Sequence, residues 1–356
     1  MPFRARAGPR QRVLVVNDDG IDAPGLRAVV LALAARFDVY VCAPTVEKSA
    51  SSHAISIHGS ISAEPRVVPG ATRAFACGGG ATPADCTMLA LDVLFADDGD
   101  QRAFDVVVSG VNRGENCGKH VVYSGTVAAA REGAMRADAV GVAVSLDSYA
   151  RDACYEHAAA TCARIVEVIL LGGDDGARRN ALRGKVLNVN VPAGTENGNF
   201  PLASARAPRP ARATAVGTSC TRARWVAVPD PTDGETGSGE DAPGRKRQRA
   251  AYRSAARTGR REVVEDVEAD RQGSTFLHGW RAGTRWFRNR PGSVAKDGAM
   301  GTDRCALDAG FVSVSLLETA GAEWRPAAHL PATAFAEAGD VAAFFARTRA
   351  PTPKLR

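Results

Sequence analysis

The apolar run Val13-Leu14-Val15-Val16 stops abruptly at Asn17-Asp18-Asp19-Gly20, and this junction restricts the fold more than any other stretch. Four consecutive aliphatic residues without alternation read as a strand buried on both faces, as in a parallel sheet covered by helices. Two carboxylates at its end deliver negative charge to the C-terminal edge of that sheet. In open α/β sheets this edge is where ligands bind. Adjacent aspartates repel each other, so a positive partner is needed, and carboxylate oxygens suit a hard divalent cation. An Asx-turn or a helix N-cap uses the same residue types, and on these four residues alone both alternatives stay open.

The following residues place that strand in a βαβ unit. Pro24 fits a first helical turn, and Leu26, Val29, Val30 and Leu33 recur at helical spacing through Arg36. A second β-like run, Phe37 to Cys42, closes at Ala43-Pro44. Strand, helix and strand in this order imply a right-handed crossover. The loop Thr45 to His53 is rich in small hydroxyls and leaves from the same edge as the aspartates. A third run, Phe104 to Val108, ends in the polar loop Ser109-Gly110-Val111-Asn112-Arg113-Gly114-Glu115-Asn116. Three strand ends thus direct Asp18 and Asp19, Ser49 and Asn112 towards one crevice.

Further strands are predicted at Gly141–Leu146, Arg183–Val191 and Phe311–Leu316, with an amphipathic helix from Tyr155 to Leu171. The alternation gives an α/β fold: a Rossmann-like, doubly wound, mostly parallel sheet with a smaller, irregular C-terminal portion. Asp340 is placed to cap a terminal helix, with Val341, Phe344 and Phe345 on one face. The loop after Asn116 runs through Tyr123-Ser124-Gly125-Thr126 into an Ala-rich helix, with Ser124 or Thr126 as N-cap. A small-residue loop opening a helix exposes backbone N–H groups that favour an anion. Ordinary capping accounts for the same residues. A metal site and an anion cradle in one crevice suggest phosphate chemistry.

In this order along the chain, Asn17 to Gly25, Ala43-Pro44 with Lys48-Ser49, Ser109-Gly110-Val111-Asn112 and Tyr123 to Ala129 resemble the SurE family. These are the stationary-phase survival proteins, metal-dependent 5′/3′-nucleotidases. Ala81 to Cys86, Leu187 to Pro192, Gly301-Thr302-Asp303 and Asp308 to Val314 are similar as well. The resemblance covers residues 12 to 195 and resumes from 297 to 317. It implies that Asp18, Asp19, Ser49 and Asn112 hold one divalent metal ion. It also implies that Asn116, Ser124, Gly125 and Thr126 bind the substrate phosphate, with Asp18, Asp19, Asn116 and Ser124 catalytic. All-oxygen ligation favours Mg²⁺ or Mn²⁺ over Zn²⁺. Two positions depart from the family pattern: Gly80-Ala81 precedes Thr82, where the family often has Gly, and Ala50 follows Ser49 where many members carry Gly.

Composition sets the remaining bounds. No run of 18 apolar residues exists, so no helical membrane span is predicted. Eight cysteines without a Cys-x-x-Cys pair argue against structural zinc. Cys42, Cys77, Cys86, Cys154 and Cys162 lie in or beside apolar runs and read as small buried hydrophobes. Free thiols and no signal peptide point to a reducing, cytoplasmic setting. Residues 1–12 read as a disordered tail and 13–195 as the α/β core. Residues 201–261 hold 13 Lys or Arg against 5 Asp or Glu, so the rest of the +6 chain is near −2. Residues 196–296 form a variable region, with 230–262 expected to be a disordered basic insert. The resemblance implies a protruding dimerisation hairpin there, enlarged in this chain as in plant-type members. Residues 297–356 return to the core and supply an oligomerisation segment, giving a homodimer or homotetramer.

Rival readings fail on specific residues. A receiver domain needs an aspartate after its central strand, where Ser109-Gly110 stands. Gly114 to His120 is one residue short of a P-loop and ends in His. A dinucleotide fold needs G-x-G-x-x-G where Asn-Asp-Asp-Gly stands. Cys77 and Cys117 lack the downstream Arg of a cysteine phosphatase. A non-enzymatic metal or nucleotide sensor, or a nucleic-acid-binding module acting through the basic insert, is the alternative. The expected function is a phosphatase-type hydrolase that cleaves nucleoside 5′(3′)-monophosphates with a metal-activated water, without a membrane or nucleic-acid partner. Long surface insertions cost little in loop closure. Deleting Gly234 to Arg257 is therefore expected to leave hydrolysis of a small chromogenic phosphate intact, as steady-state kinetics of the deletion variant would show.

Overall fold

β1 (Arg12–Val16) is buried along its whole length, as an unbroken aliphatic run requires. Its side chains divide between two cores: Val13 and Val15 join one, Leu14 and Val16 the other. That split is possible only for a strand covered on both faces. The computed structural model describes residues 10–96, 104–150, 152–172, 176–193, 211–214, 216–217, 220–228, 286–295 and 302–319.

The chain continues with α1 (Pro24–Ala34), β2 (Asp38–Pro44), β3 (Ala63–Pro65), β4 (Arg73–Cys77) and α2 (Pro83–Leu89). α2 runs on into a π-helical turn, Ala90–Leu94. Then follow β5 (Val106–Arg113), α3 (His120–Tyr123), α4 (Gly125–Ala137), β6 (Val140–Asp147), α5 (Glu156–Leu171), α6 (Ala177–Leu182) and β7 (Lys185–Pro192). The described elements end with β8 (Ala211–Thr214), β9 (Cys220–Val228), β10 (Trp286–Ala295), α7 (Asp303–Asp308) and β11 (Val312–Glu318).

Nine strands form one sheet in the order β3-β4-β2-β1-β5-β6-β7-β11-β8. Only β3 with β4 and β7 with β11 pair antiparallel. β1 pairs in parallel with both β2 and β5, so the strand order reverses at β1. This is the switch point at which open α/β sheets bind ligands. α1 and α5 pack on one face with Leu26, Val29, Leu33, Ile165 and Ile169. On the other face, Leu14, Val16, Tyr40, Cys42 and Val107 share a core with Ala129 of α4 and Cys86 of α2. The fold is the expected doubly wound α/β sheet.

The chain divides into two compact units: Met1–Cys220 with Ala295–Arg356, and Thr221–Val294. The first holds the nine-stranded sheet. In the second, β9 and β10 form a two-stranded sheet. Of the expected tail at residues 1–12, residues 1–9 lie outside the described residues and Arg12 belongs to β1; the basic insert at 230–262 and the helix after Asp340 also lie outside the described residues. α1 ends at Ala34, two residues before the expected Arg36. Cys154 is a correction: it is exposed, and its thiol bonds to Glu156 Oε2 at 2.9 Å because it sits in the turn before α5 rather than in the helix.

α4 lies close to the sheet because Gly133 has no side chain. A Cβ there would stand 2.5 Å from Val107 Cγ2 and 2.6 Å from Val107 Cβ. A stiff β-branched residue in a central strand cannot turn aside. Gly133→Val is therefore expected to lower unfolding free energy by about 1–3 kcal/mol through overpacking. Chemical denaturation checks this; unchanged stability would contradict the close contact of α4 with β5.

Candidate functional site

The turn after β1 is closed by Asn17, not by the aspartates. Asn17 Nδ2 donates to the Gly20 carbonyl at 2.9 Å, and Gly20 N donates back to Oδ1 at 3.2 Å. The Asx-turn role that the sequence left open thus falls to Asn17, and both carboxylates are released for other partners. Asp18 is 3% exposed. Its carbonyl accepts from Lys48 N at 2.6 Å, and its Oδ1 accepts from the Thr126 hydroxyl at 2.6 Å. Asp19 Oδ2 accepts from Arg113 N at 3.0 Å. One strand end is thereby tied to the loop after β2, to the end of β5 and to the first turn of α4.

The electrostatics are unfavourable without a cation. Burial pushes the Asp18 carboxyl up, against the hydrogen bonds from Thr126. Asp19 is pushed up to about 7, first by burial and then by the charge of Asp18. Among the described residues neither carboxylate is ion-paired. Two desolvated carboxylates of like charge, side by side, are a donor set that a divalent ion fits.

Gly125 opens α4 directly against Asp18. A Cβ on Gly125 would stand 2.9 Å from Asp18 Cβ and 2.8 Å from Ser51 Oγ. Ser124 is the N-cap, its Oγ accepting from Val127 N at 3.0 Å. The first-turn N–H groups of a helix lack intrahelical partners and carry its positive dipole end. Ser51 Oγ is buried and has no hydrogen-bond partner among the described residues. Ala50 and Ser52, on either side of it, take left-handed backbone angles with φ of 58° and 54°. Such strain costs roughly 1 kcal/mol or more per non-glycine residue. Ser52 holds the turn in place by donating its N–H to the Tyr123 carbonyl at 3.0 Å and its hydroxyl to the Val122 carbonyl at 2.8 Å.

Ser49 and Asn112 lie on the flanking segments. Ser49 Oγ donates to Glu47 Oε1 at 2.9 Å, and Arg113 pairs with the same oxygen at 3.2 Å. Glu47 therefore links Ser49 to the residue whose N–H holds Asp19. Asn112 is 8% exposed, its Nδ2 donating to the Gly114 carbonyl at 2.8 Å. A shift of register between Ser109 and Asn112 sets where β5 delivers it. Asn116 is anchored further along the edge, at the ends of β6 and β7. Its N–H donates to Asn190 Oδ1 and its Nδ2 to Ser145 Oγ, both at 2.8 Å, while its carbonyl accepts from Asn188 Nδ2 at 2.8 Å.

Several residues of this framework were not legible as site residues. Asn188 and Asn190 are fully buried polar groups two apart in β7, so they face the same side. Two amides repeating at strand period in an apolar run were the signal. Asp303, at the start of α7, accepts from Gly118 N at 2.7 Å and Gly217 N at 3.0 Å. Glu115 holds His120 at 2.9 Å, which lowers the Glu115 carboxyl and raises the imidazole. These contacts fix the loop between Asn116 and Ser124.

Comparison with known proteins follows the same residues. Residues 13–219 match the profile of the family described as "Survival protein SurE". A protein of Sorangium cellulosum named 5′-nucleotidase SurE is 42% identical over 189 residues, which are 52% of this chain and 66% of the relative. Its namesake from Syntrophomonas wolfei is 35% identical over 181 residues, 51% of this chain and 63% of that one. The solved SurE protein of Aquifex aeolicus shares the fold with a TM-score of 0.56 at 23% identity, covering 87% of this chain and 94% of that one. The matched segment thus spans slightly less than two thirds of the length of these sequence relatives. With a family profile matched across more than half of its length, at the strand ends that build the crevice, the chain belongs to the SurE family.

Proposed function

We propose that the chain is a metal-dependent phosphomonoesterase that hydrolyses nucleoside 5′(3′)-monophosphates to nucleoside and phosphate. The observation that carries this is the pair Asp18 and Asp19 at the switch point, with Asp18 buried against the N-terminus of α4 and the Asp19 carboxyl pushed up to about 7 by burial and the charge of Asp18. The name 5′-nucleotidase SurE borne by the relatives supports the substrate class. Asp18, Asp19, Ser49 and Asn112 would hold one Mn²⁺ or Mg²⁺. When bound, such an ion supplies a water of lowered pKa and offsets charge on the phosphate.

The protein's own groups do the rest. Ser124 and the N–H groups of Gly125 and Thr126 receive the remaining phosphate oxygens, in the manner of a helix N-terminus. Asn116, held by Asn188, Asn190 and Ser145, contributes its carboxamide from a fixed position. Thr126 also acts on the carboxylate pair, because its hydroxyl donates to Asp18 and so orients that carboxylate. No covalent nucleophile is required. No helix among the described residues is long and apolar enough to cross a membrane. The proposed enzyme works in the cytoplasm as a homodimer or homotetramer built through its C-terminal portion.

Phosphate release from a panel of nucleoside monophosphates, with and without chelator, tests the activity. Asp18→Asn and Asp19→Asn are each expected to abolish metal-dependent turnover while the folded far-UV spectrum persists. Full activity of Asp19→Asn at saturating Mn²⁺ would sink the ligand assignment. Thr126→Val keeps the shape of the side chain and removes only its donor. It is expected to weaken metal activation by roughly 10–100-fold, the usual effect of losing a group that orients a metal ligand. A Mn²⁺ titration of activity reads this directly, and an unchanged half-saturation point would contradict it.

A further inference from the structure

Three cysteines that are scattered in sequence meet in the fold. Cys42 lies in β2, Cys77 ends β4 and Cys86 lies in the first turns of α2. All three are buried, at 0%, 1% and 0% exposure. Their sulfur atoms lie within 4.8 Å of one another, and Cys42 Sγ stands 3.4 Å from Cys77 Sγ. The absence of Cys-x-x-Cys spacing concealed this, because the three thiols come from separate elements and converge only through strand pairing.

A disulfide is a poor use of the arrangement. Cys42 is in register with Phe75 and Cys77 with Pro44, so the two cysteines are diagonal neighbours on adjacent strands. Diagonal neighbours stand roughly 7–8 Å apart, at or beyond the span of about 7 Å that a disulfide can bridge. Thiols are also weak hydrogen-bonding groups, so three of them gain little from each other. A metal ion at about 2.3 Å from each of three sulfurs would set the sulfurs about 4 Å apart in a trigonal plane. That spacing falls inside the observed limits.

The surroundings decide which ion. Asp85, whose charge acts on Cys77, is occupied: it accepts from Ser56 N at 2.9 Å, Ser56 Oγ at 2.7 Å and Thr82 N at 2.9 Å. Among the described residues no fourth protein ligand remains for the tetrahedral site that structural zinc takes. The three thiols belong to the same buried apolar core as Leu14, Val16, Tyr40, Ala81, Ala90 and Phe95. Coordination number decides: a soft ion of the copper(I) class is content with three sulfurs, whereas structural zinc takes four ligands.

We propose that Cys42, Cys77 and Cys86 form a three-sulfur binding site for a soft monovalent cation of the copper(I) class, distinct from the carboxylate pair. Binding converts thiols to thiolate ligands and releases one proton for each thiolate formed. The ion ties β2, β4 and α2 together.

The test is a titration of the reduced, full-length protein with Cu⁺ under anaerobic conditions and excess Mn²⁺, which occupies any hard oxygen site. One equivalent is expected to produce a thiolate-to-copper charge-transfer band, and X-ray absorption is expected to show three sulfurs in the copper shell. The band should be lost in Cys77→Ala and Cys86→Ala and retained in Cys154→Ser, which removes an exposed thiol. No band in the wild type, a band undiminished in folded Cys77→Ala, or a shell of nitrogen and oxygen would overturn the proposal. Because the absorption measurement uses the wild type, it decides the matter even where a variant does not fold. Neither readout depends on phosphatase activity, so the proposal stands or fails apart from the hydrolytic function.

Discussion

Two carboxylates placed side by side at a buried strand end repel each other, and the elements around β1 are arranged about that repulsion. Asp18 is desolvated and bound by Thr126, while Asp19 is held by the Arg113 N–H. These bonds come from α4 and β5, elements that begin or end at the same edge of the sheet. A single hydrogen bond to a carboxylate contributes a few kcal/mol at most. It does not remove the penalty of burying two like charges, which is why Asp19 is pushed up to about 7. A divalent ion meets both costs at once, and the proposed chemistry follows from that requirement.

The rest of the edge is built to hold backbone groups in unusual positions. Ser51 sits between two residues with left-handed angles, and its buried hydroxyl faces Gly125 without a partner among the described residues. Ala50 occupies one of these positions although glycine would adopt the same angles without a Cβ penalty. The turn is retained because Ser52 anchors it twice to the residues before α4. Strain of this kind persists where the surroundings over-determine the conformation. Here the surroundings are the start of the helix proposed to receive phosphate.

The two cores flanking the sheet differ in character. The face with α1 and α5 is mostly aliphatic, with Phe37 and Tyr155 its buried aromatic residues. The opposite face contains Tyr40, Phe95 and Phe104, whose rings meet edge to face at 5.1 to 6.1 Å, with the Arg12 guanidinium 4.4 Å from the Tyr40 ring centre. The three thiols lie on this second face. Hard oxygen donors at the edge and soft sulfur donors in the core would select different ions, so the two proposed sites need not compete.

Local sequence determined the strand β1, the helix α1 and the strand β2, because unbroken aliphatic runs and 3.6-residue periodicity are local properties. It also determined that Asp18, Asp19, Ser49 and Asn112 leave from one edge, since parallel strands all end on the same side. The residues that support them were decided by tertiary structure. Asn188 and Asn190 reach Asn116 only because β7 lies two strands from β5, and Asp303 reaches Gly118 across 185 positions of sequence. The edge strand β3 and its neighbour β4 were not legible, because runs of three and five residues are too short to show a period. Cys42, Cys77 and Cys86 read as separate small hydrophobes because they lie in three different elements. Spacing along the chain reveals a ligand set when one element supplies it or when parallel strand ends deliver it to a common edge. A set assembled from two strands and a helix exists only after the sheet has fixed its register.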